Sequence, residues 1–172
     1  MIDRTDFLGG KIATLNEAKQ QMEVWRMTGR KVVFTNGCFD ILHKGHVTYL
    51  AQAAQHGNRM VIGLNTDASV KRQGKGDDRP INDQDARATV LAALSCVDLV
   101  VFFDEDTPLN LIQELQPNVL AKGADYDPEE TNPDSKKYIV GSDIVRKNGG
   151  EVVAIPLVDG FSTTSIVEKL RK

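Results

Sequence analysis

Thr35-Asn36-Gly37-Cys38-Phe39-Asp40-Ile41-Leu42-His43-Lys44-Gly45-His46 is the stretch that decides the fold of this chain. Before it stands a short apolar run, Val32-Val33-Phe34. After it, Val47, Leu50, Ala51 and Ala54 recur at i, i+3, i+4 and i+7, the spacing of a helix with one buried face. The stretch is therefore a turn that leaves a strand and opens a helix. One glycine sits in the turn and a second lies between two histidines at the helix start. Backbone N–H groups at such a start point outward and the helix dipole adds positive potential, which makes an anion site. Two imidazoles and a lysine at the same mouth point to a phosphate chain rather than a lone carboxylate.

The same grammar repeats outward from this turn. Gly57 stops the first helix. Met60–Leu64, Asp98–Phe103, Asn118–Ala121 and Glu151–Ile155 are further apolar runs, each separated from the next by a helical pattern. Strands that are apolar throughout are buried on both faces. The expected fold is therefore α/β: a Rossmann-like, doubly wound, five-stranded parallel sheet with helices on both faces. Asp83 caps a helix with Ala86, Val90, Ala93 and Leu94 inward. Thr107-Pro108 starts another, hydroxyl at the cap and proline in the first turn, with Leu109, Ile112 and Leu115 behind it. A helix is expected from about Tyr138 to Lys147, and a last one carries Ile166, Val167 and Leu170. Lys71–Pro80 is polar and glycine-bearing and forms no packed element, and Asp127–Ser135 is an acidic, proline-rich surface loop. Residues 1–30 read as a helical lead-in with Asn16 at its cap, Ala18, Met22, Trp25 and Arg26 at helical spacing, and Gly29 at its end. Trp25 is a packing anchor there. Residues 31–172 carry the chemistry, and no internal boundary or repeat divides what is one domain overall.

Composition narrows the function. A chain of 172 residues can bury one ordinary core, and 41% apolar with 26% charged residues is the balance of a soluble globular protein. A net charge of −3 excludes a broad nucleic-acid footprint, so phosphate binding must rest on local charge. Cys38 and Cys96 match no disulfide framework or zinc spacing and read as reduced thiols. No apolar run nears the ~18–20 residues of a membrane span. Met1–Asp6 carries no signal-peptide pattern, and the cytoplasm is the expected compartment.

The unusual polar residues follow the strands: Asn36–His46, Asn65–Asp67, Lys122–Asp125 and Asp159–Thr164. In an open parallel sheet these loops share one edge, where ligands bind. His43 and His46 would donate hydrogen bonds to phosphate oxygens as charge moves onto a leaving group. Zinc is the competing use of the pair with Cys38, but zinc needs three or four ligands and no further Cys/His pair supplies them. Lys44, Lys71, Arg72, Lys75, Arg79 and Arg87 are the cations at hand, and the glycines among Lys71–Arg79 suit a loop that closes over phosphates. Arg87 falls on the helix face away from Ala86, Val90 and Ala93, free to reach out. Asp40, Asp67 and Asp125 are each a cap or turn residue alone; together they could orient a sugar hydroxyl, an amino group or a hydrated Mg²⁺. Gly123 lets a nucleotide approach the backbone. Gly160-Phe161-Ser162-Thr163-Thr164 has more hydroxyls than one N-cap needs and suits a second anion site. Nothing beyond proximity to His43 marks Cys38 as a nucleophile.

Gly37-Cys38-Phe39-Asp40 followed by His43-Lys44-Gly45-His46 resembles the G-x-F-D-x-x-H-x-G-H signature of the cytidylyltransferase-like nucleotidyltransferases. Phe161-Ser162-Thr163-Thr164-Ser165 resembles their late signature, and the likeness covers about residues 31–171. Within that superfamily the chain is most similar to bacterial D-glycero-β-D-manno-heptose 1-phosphate adenylyltransferases. Asn65-Thr66-Asp67-Ala68-Ser69-Val70-Lys71, Arg79-Pro80-Ile81-Asn82, Glu105-Asp106-Thr107-Pro108, Lys122-Gly123-Ala124-Asp125-Tyr126 and Asp159–Thr164 carry that likeness.

The resemblance implies AMP transfer from ATP, with accompanying Mg²⁺ and no metal held directly by the protein, to heptose 1-phosphate, for the heptose precursors of the lipopolysaccharide core. It implies catalytic roles for His43, His46 and Lys75. Asn36, Gly37, Phe39, His43, Gly45, His46, Lys122, Gly123, Asp125, Thr163 and Thr164 would hold the nucleotide. Asp40, Asp67, Lys71, Arg79 and Arg87 would face the sugar phosphate. In many bacteria such a unit is the C-terminal half of a protein with a sugar kinase, so a separate kinase is implied here, together with a homodimer to which residues 16–28 contribute. Neither nucleic acid nor membrane is implied as a partner. Related glycerol-3-phosphate cytidylyltransferases carry an R-T-E-G run before the late signature. This chain has Leu157-Val158-Asp159-Gly160, which disfavours that alternative. A nucleotide-binding sensor without turnover is the non-enzymatic alternative, and the intact histidine pair counts against it.

Overall fold

The apolar runs all fold as strands, and each strand divides its side chains between two cores. A computed structural model describes residues 6–74 and 78–170. Lys75, expected to be catalytic, lies outside the described residues, as does the side chain of Leu170. In chain order the elements are α1 (Asp6–Gly9), β1 (Ile12–Ala13), α2 (Leu15–Met27), β2 (Val32–Gly37), α3 (Lys44–Ala54), β3 (Arg59–Asn65) and α4 (Asp67–Arg72). They continue with α5 (Gln84–Ala92), β4 (Leu99–Phe103), α6 (Leu109–Leu115), β5 (Val119–Gly123), α7 (Ser142–Lys147), β6 (Glu151–Ile155) and α8 (Thr163–Leu170).

The sheet has six strands, in the order β1-β4-β3-β2-β5-β6, and every pairing is parallel. The sixth is β1, which pairs Ile12 with Val100 and Ala13 with Val101 at one edge. Two residues are too few to show a strand period, so the five-strand expectation missed it. Residues 12–27 are thereby part of the same sheet and core as the rest, not a lead-in beside it. Alternation along the strands fills both faces. Val32, Phe34, Val61, Leu99, Val101 and Leu120 pack under α2, α6 and α7, against Met22, Trp25, Ile112, Leu115 and Val145. Val33, Met60, Ile62, Leu64, Val100 and Val119 pack under α3 and α5, against Tyr49, Leu50, Ala53, Ala88 and Leu91.

The helices differ from expectation in phase and ends. Thr14, not Asn16, caps α2: its Oγ1 accepts from Glu17 N while Glu17 Oε2 accepts from Thr14 N, a reciprocal capping box. The buried side of α3 is Gly45, Tyr49, Leu50 and Ala53, with Val47 and Ala51 exposed. The buried side of α5 is Arg87, Ala88, Leu91 and Ala92, while Ala86, Val90 and Ala93 face out. Lys71 and Arg72 close a true helix, α4, whose Arg72 Nε donates to Asp106 at 2.9 Å. Thr107 does not cap α6; Pro108 holds the cap position with no side-chain hydrogen bond. α7 starts only at Ser142, because Gly141 before it has φ +86 and ends the preceding turn. Among the described residues no helix is long and apolar enough to cross a membrane.

The strand order reverses between β2 and β5. Chain order runs outward from β2 through β3 to β4 on one side, and from β5 to β6 on the other. Loops leaving β2 and β5 therefore part company at the sheet edge, which opens a crevice there.

Candidate active site

The crevice is built first by the turn after β2. His43 is the N-cap residue of α3, with extended backbone, and its Nδ1 accepts the backbone N–H of His46 at 3.4 Å. The residue that resembles a catalytic donor is thus also the helix cap. The two imidazoles stack, 3.9 Å between centroids and 19° from parallel. Phe39 meets His46 edge-on at 5.5 Å. Phe39 has φ +45, rare for a side-chain-bearing residue and held here by its packing under the turn. Gly45 is required by closeness: a Cβ there would stand 3.1 Å from the His43 ring and from Phe161 Cβ.

Both histidines are neutral near pH 7. Burial pushes His46 down to about 4, the adjacent His43 pushes it the same way, and the Ile41 carbonyl offsets only part. Burial also lowers His43 below its ordinary value, against a smaller opposing effect of its own backbone. With Nδ1 of His43 accepting, the neutral ring carries its proton on Nε2 and can donate it.

Two cavities meet at His46. The larger, about 380 Å³, brings together Asn36, Gly37, Phe39, Gly45 and His46 from the β2–α3 turn with Lys122, Gly123, Asp125 and Tyr126 from the end of β5. Leu157, Val158 and Phe161 close it from the loop before α8. The second, about 350 Å³, is lined by Cys38, Phe39, Asp40, His46, Arg79, Thr163 and Thr164. The nucleotide residues expected from sequence are therefore split: Thr163 and Thr164 belong to the second cavity, apart from Lys122, Gly123 and Asp125. His43 stands at the rim, stacked on His46 and 6.1 Å from the Phe161 ring. Lys122 Nζ donates to the Asn36 carbonyl at 3.4 Å and lies 5.5 Å from the Tyr126 ring centroid, bridging the two strand ends.

Sequence reasoning missed Tyr49 and left Phe161 without a role of its own. Tyr49 forms the floor of the larger cavity, its hydroxyl paired with Thr35 Oγ1 at 2.7 Å and donating to the Ala121 carbonyl at 3.2 Å. Burial pushes that phenol up to about 12, so it stays neutral. The signal was available: Tyr49 follows His46 by three and shares the inward face with Gly45 and Leu50. Phe161 lies under Lys44, whose Nζ is 5.7 Å from the ring centroid.

Three expected sugar-phosphate residues do other work. Asp40 is buried with its carboxylate filled: Oδ1 accepts from Ile81 N and Asn82 N, each at 2.9 Å, and Oδ2 from Arg79 Nε at 2.5 Å and Ile81 N at 3.0 Å. Burial alone would raise its pKa, but the N–H groups of Asn82 and Ile81 and the Arg79 guanidinium hold it below the usual range. Arg87 does not reach out. Its side chain is 0% exposed, and Nε donates to Asn82 O, Nη1 to Cys38 O and Nη2 to Asp67 Oδ1, at 3.1, 2.7 and 2.7 Å. It braces the turn after β2 against the start of α4, and Asp67 is spent on it. Lys71 is exposed on α4 and lines neither cavity. Of the five, Arg79 is the cation that lines the second cavity.

A doubly wound α/β sheet with a two-chambered crevice at its switch point defines a class of small-molecule binding folds. The chain belongs to the cytidylyltransferase-like family, whose model matches residues 34–169. It is 53% identical to the Bifunctional protein HldE of Magnetococcus marinus over 170 residues, 99% of this chain and 33% of that protein. It is 55% identical to the Bifunctional protein HldE of Hyphomonas neptunium over 149 residues, 87% of this chain and 29% of that one. The chain thus spans about a third of the length of the curated relatives it matches. A lipopolysaccharide core biosynthesis protein from Thermoplasma volcanium superposes with a TM-score of 0.57 at 25% identity, covering 76% of this chain and 98% of that one. A pantoate-beta-alanine ligase from Francisella tularensis shares the fold, with a TM-score of 0.58 at 13% identity over 94% of this chain and 79% of the other.

Proposed function

We propose that the protein transfers AMP from ATP to D-glycero-β-D-manno-heptose 1-phosphate, releasing pyrophosphate and forming ADP-heptose for the lipopolysaccharide core. The observation that carries this reading is the pair of cavities meeting at His46, one suited to a nucleoside and the other lined by a cation and hydroxyls. The high identity to HldE proteins and the likeness to a lipopolysaccharide core biosynthesis protein favour the heptose acceptor.

In this reading ATP lies with its nucleoside between Gly37 and Gly123, where side chains would intrude, and its triphosphate along the start of α3. The acceptor's phosphate needs no general base, since a second phosphate pKa near ~6 leaves it dianionic at neutral pH. An oxygen of that phosphate forms a bond to the α-phosphorus as the bond to the β-phosphate oxygen breaks. The electron pair leaves with pyrophosphate. The protein has to align two anions and stabilise the charge that departs. His43 Nε2–H, the ring of His46 and the backbone at the start of α3 are donors already set for that task. Thr163 and Thr164 line the second cavity.

Mg²⁺ bound to ATP would supply charge neutralisation on the phosphates. Asp40 and Asp67 are committed to arginines, which suits an ion that arrives held by the nucleotide's own phosphates. Lys75 belongs to the proposal as a further phosphate ligand. So do a sugar kinase that supplies heptose 1-phosphate, a cytoplasmic setting where ATP is plentiful, and a homodimer, for which the exposed Val24 and Met27 of α2 offer apolar surface.

The test is pyrophosphate release with ATP or CTP crossed against heptose 1-phosphate or glycerol 3-phosphate. The reading expects turnover with ATP and heptose 1-phosphate. Turnover with CTP and glycerol 3-phosphate alone would replace the substrates. ATP binding without turnover on any sugar phosphate would make the protein a sensor.

A further inference from the structure

Arg79 is held by one edge and open at the other. Its Nε donates to Asp40 Oδ2 at 2.5 Å, and its side chain is 11% exposed. Among the described residues its Nη1 and Nη2 atoms make no hydrogen bond, and the residue lines the second cavity beside His46, Thr163 and Thr164. Those Nη atoms keep access to solvent at the cavity, so a ligand with oxygen acceptors can take them in place of water. Asp40 is firmly placed. It is 1% exposed and receives the backbone N–H groups of Ile81 and Asn82 in addition to Arg79. A carboxylate so filled repels an anion and has no lone pair to spare for a sugar hydroxyl.

We propose that Asp40 is a positioning residue that fixes the Nε edge of Arg79, so that the Nη fork receives a phosphate group in the second cavity. This rests on the adenylyltransferase reading and refines it: the cation of the acceptor side is Arg79, and Asp40 acts only through it. A planar fork suits two phosphate oxygens at once, whereas a lysine offers a single point charge. The phosphate comes either from the sugar phosphate or from the far end of the triphosphate, and kinetics separate these two sources.

The experiment compares wild type with Arg79→Ala, Arg79→Lys, Asp40→Asn and Asp40→Glu, measuring kcat, the KM of each substrate and Tm. Calorimetry with inorganic pyrophosphate and with the sugar phosphate is run in parallel. Arg79→Ala should raise the KM of one phosphate substrate by about tenfold or more, as loss of a charged bidentate contact does, and leave the other within about twofold. A rise for heptose 1-phosphate assigns the fork to the acceptor; a rise for ATP with weaker pyrophosphate binding assigns it to the leaving end. Arg79→Lys should recover part of the effect. Added guanidinium ion should rescue Arg79→Ala. Asp40→Asn should raise the same KM as Arg79→Ala, by a smaller factor, and the double variant should be no worse than Arg79→Ala. A merely structural Asp40 would lower Tm without selecting one KM, and that result overturns the proposal. So do unchanged KM values in Arg79→Ala. If Asp40→Asn does not fold, Asp40→Glu keeps the charge but moves it and must show the same selective KM. If wild type gives no turnover, the adenylyltransferase reading fails by itself. The Arg79 inference then stands or falls on whether Arg79→Ala weakens pyrophosphate or sugar phosphate in the calorimeter.

Discussion

Nδ1 of His43 accepts the backbone N–H of His46 at 3.4 Å, so one ring caps α3 and keeps its opposite nitrogen, Nε2, as the proton-bearing one. Capping and chemistry therefore sit on the same side chain and can be separated by choice of substitution. His43→Asn keeps a good cap residue and removes the Nε2 donor. It should hold Tm near wild type while kcat falls by a factor of roughly a hundred. His43→Ala should lose turnover alike and about 1 kcal/mol of stability as well. Normal turnover in His43→Asn, measured by pyrophosphate release, would remove His43 from the mechanism.

Acid should weaken the fold through His46. Its folded pKa is pushed down to about 4 from an ordinary 6.5, so between those values the unfolded chain binds the extra proton. The contribution to stability is complete above pH 6.5 and is lost progressively as pH falls toward 4. Asp40 has a lowered pKa and acts in a different window: its contribution is present above 3.8 and is lost only as pH drops through the folded value below that. Urea unfolding from pH 8 to 4.5 should show a falling midpoint in wild type and a flatter line in His46→Asn. Parallel lines would mean that His46 titrates normally.

Arg87→Met should cost about 3 kcal/mol, at the low end for breaking a buried ion pair because Asp67 is 32% exposed. The change strands two backbone carbonyls, Cys38 O and Asn82 O, together with the Asp67 carboxylate. A shift in the urea midpoint without a change in slope checks it. A loss of sugar-phosphate affinity at unchanged stability would instead restore Arg87 as a ligand of the sugar phosphate.

The misreading of Arg87 shows where sequence stops. The strands were legible because a buried parallel strand is apolar on both sides, and Val32–Phe34 or Leu99–Phe103 has no other use in so short a run. The phase of α5 was not legible. Ala86, Val90 and Ala93 and the true inner set, Ala88, Leu91 and Ala92, are two alanine-rich frames one or two residues apart, and an arginine in the inner frame argues for the wrong one. The site's histidines and glycines came from a local motif. The Asp40–Arg79 pair did not, because it joins positions 39 apart whose partnership exists only once β3 and α4 have folded between them. Likewise the division of the crevice into two cavities depends on where α8 lands.

Gly45→Ala tests the closeness of the turn. Its new Cβ would stand 3.1 Å from His43 Nδ1, Cε1 and Phe161 Cβ, so the ring must give by a few tenths of an ångström. Stability should change by about 1 kcal/mol, as mild overpacking does, while kcat/KM for ATP falls at least tenfold because the donor is displaced. Equal losses in unfolding and in kinetics would show that Gly45 serves the fold alone.

The central claim is attack by a sugar phosphate on the α-phosphorus of ATP in the crevice at His46. Incubation with heptose 1-phosphate and ATP labelled at the α-phosphorus tests it directly. The account predicts label in the nucleotide sugar and unlabelled pyrophosphate, with both lost in His46→Ala. Label retained in ADP, with a second phosphate on the sugar, would contradict it.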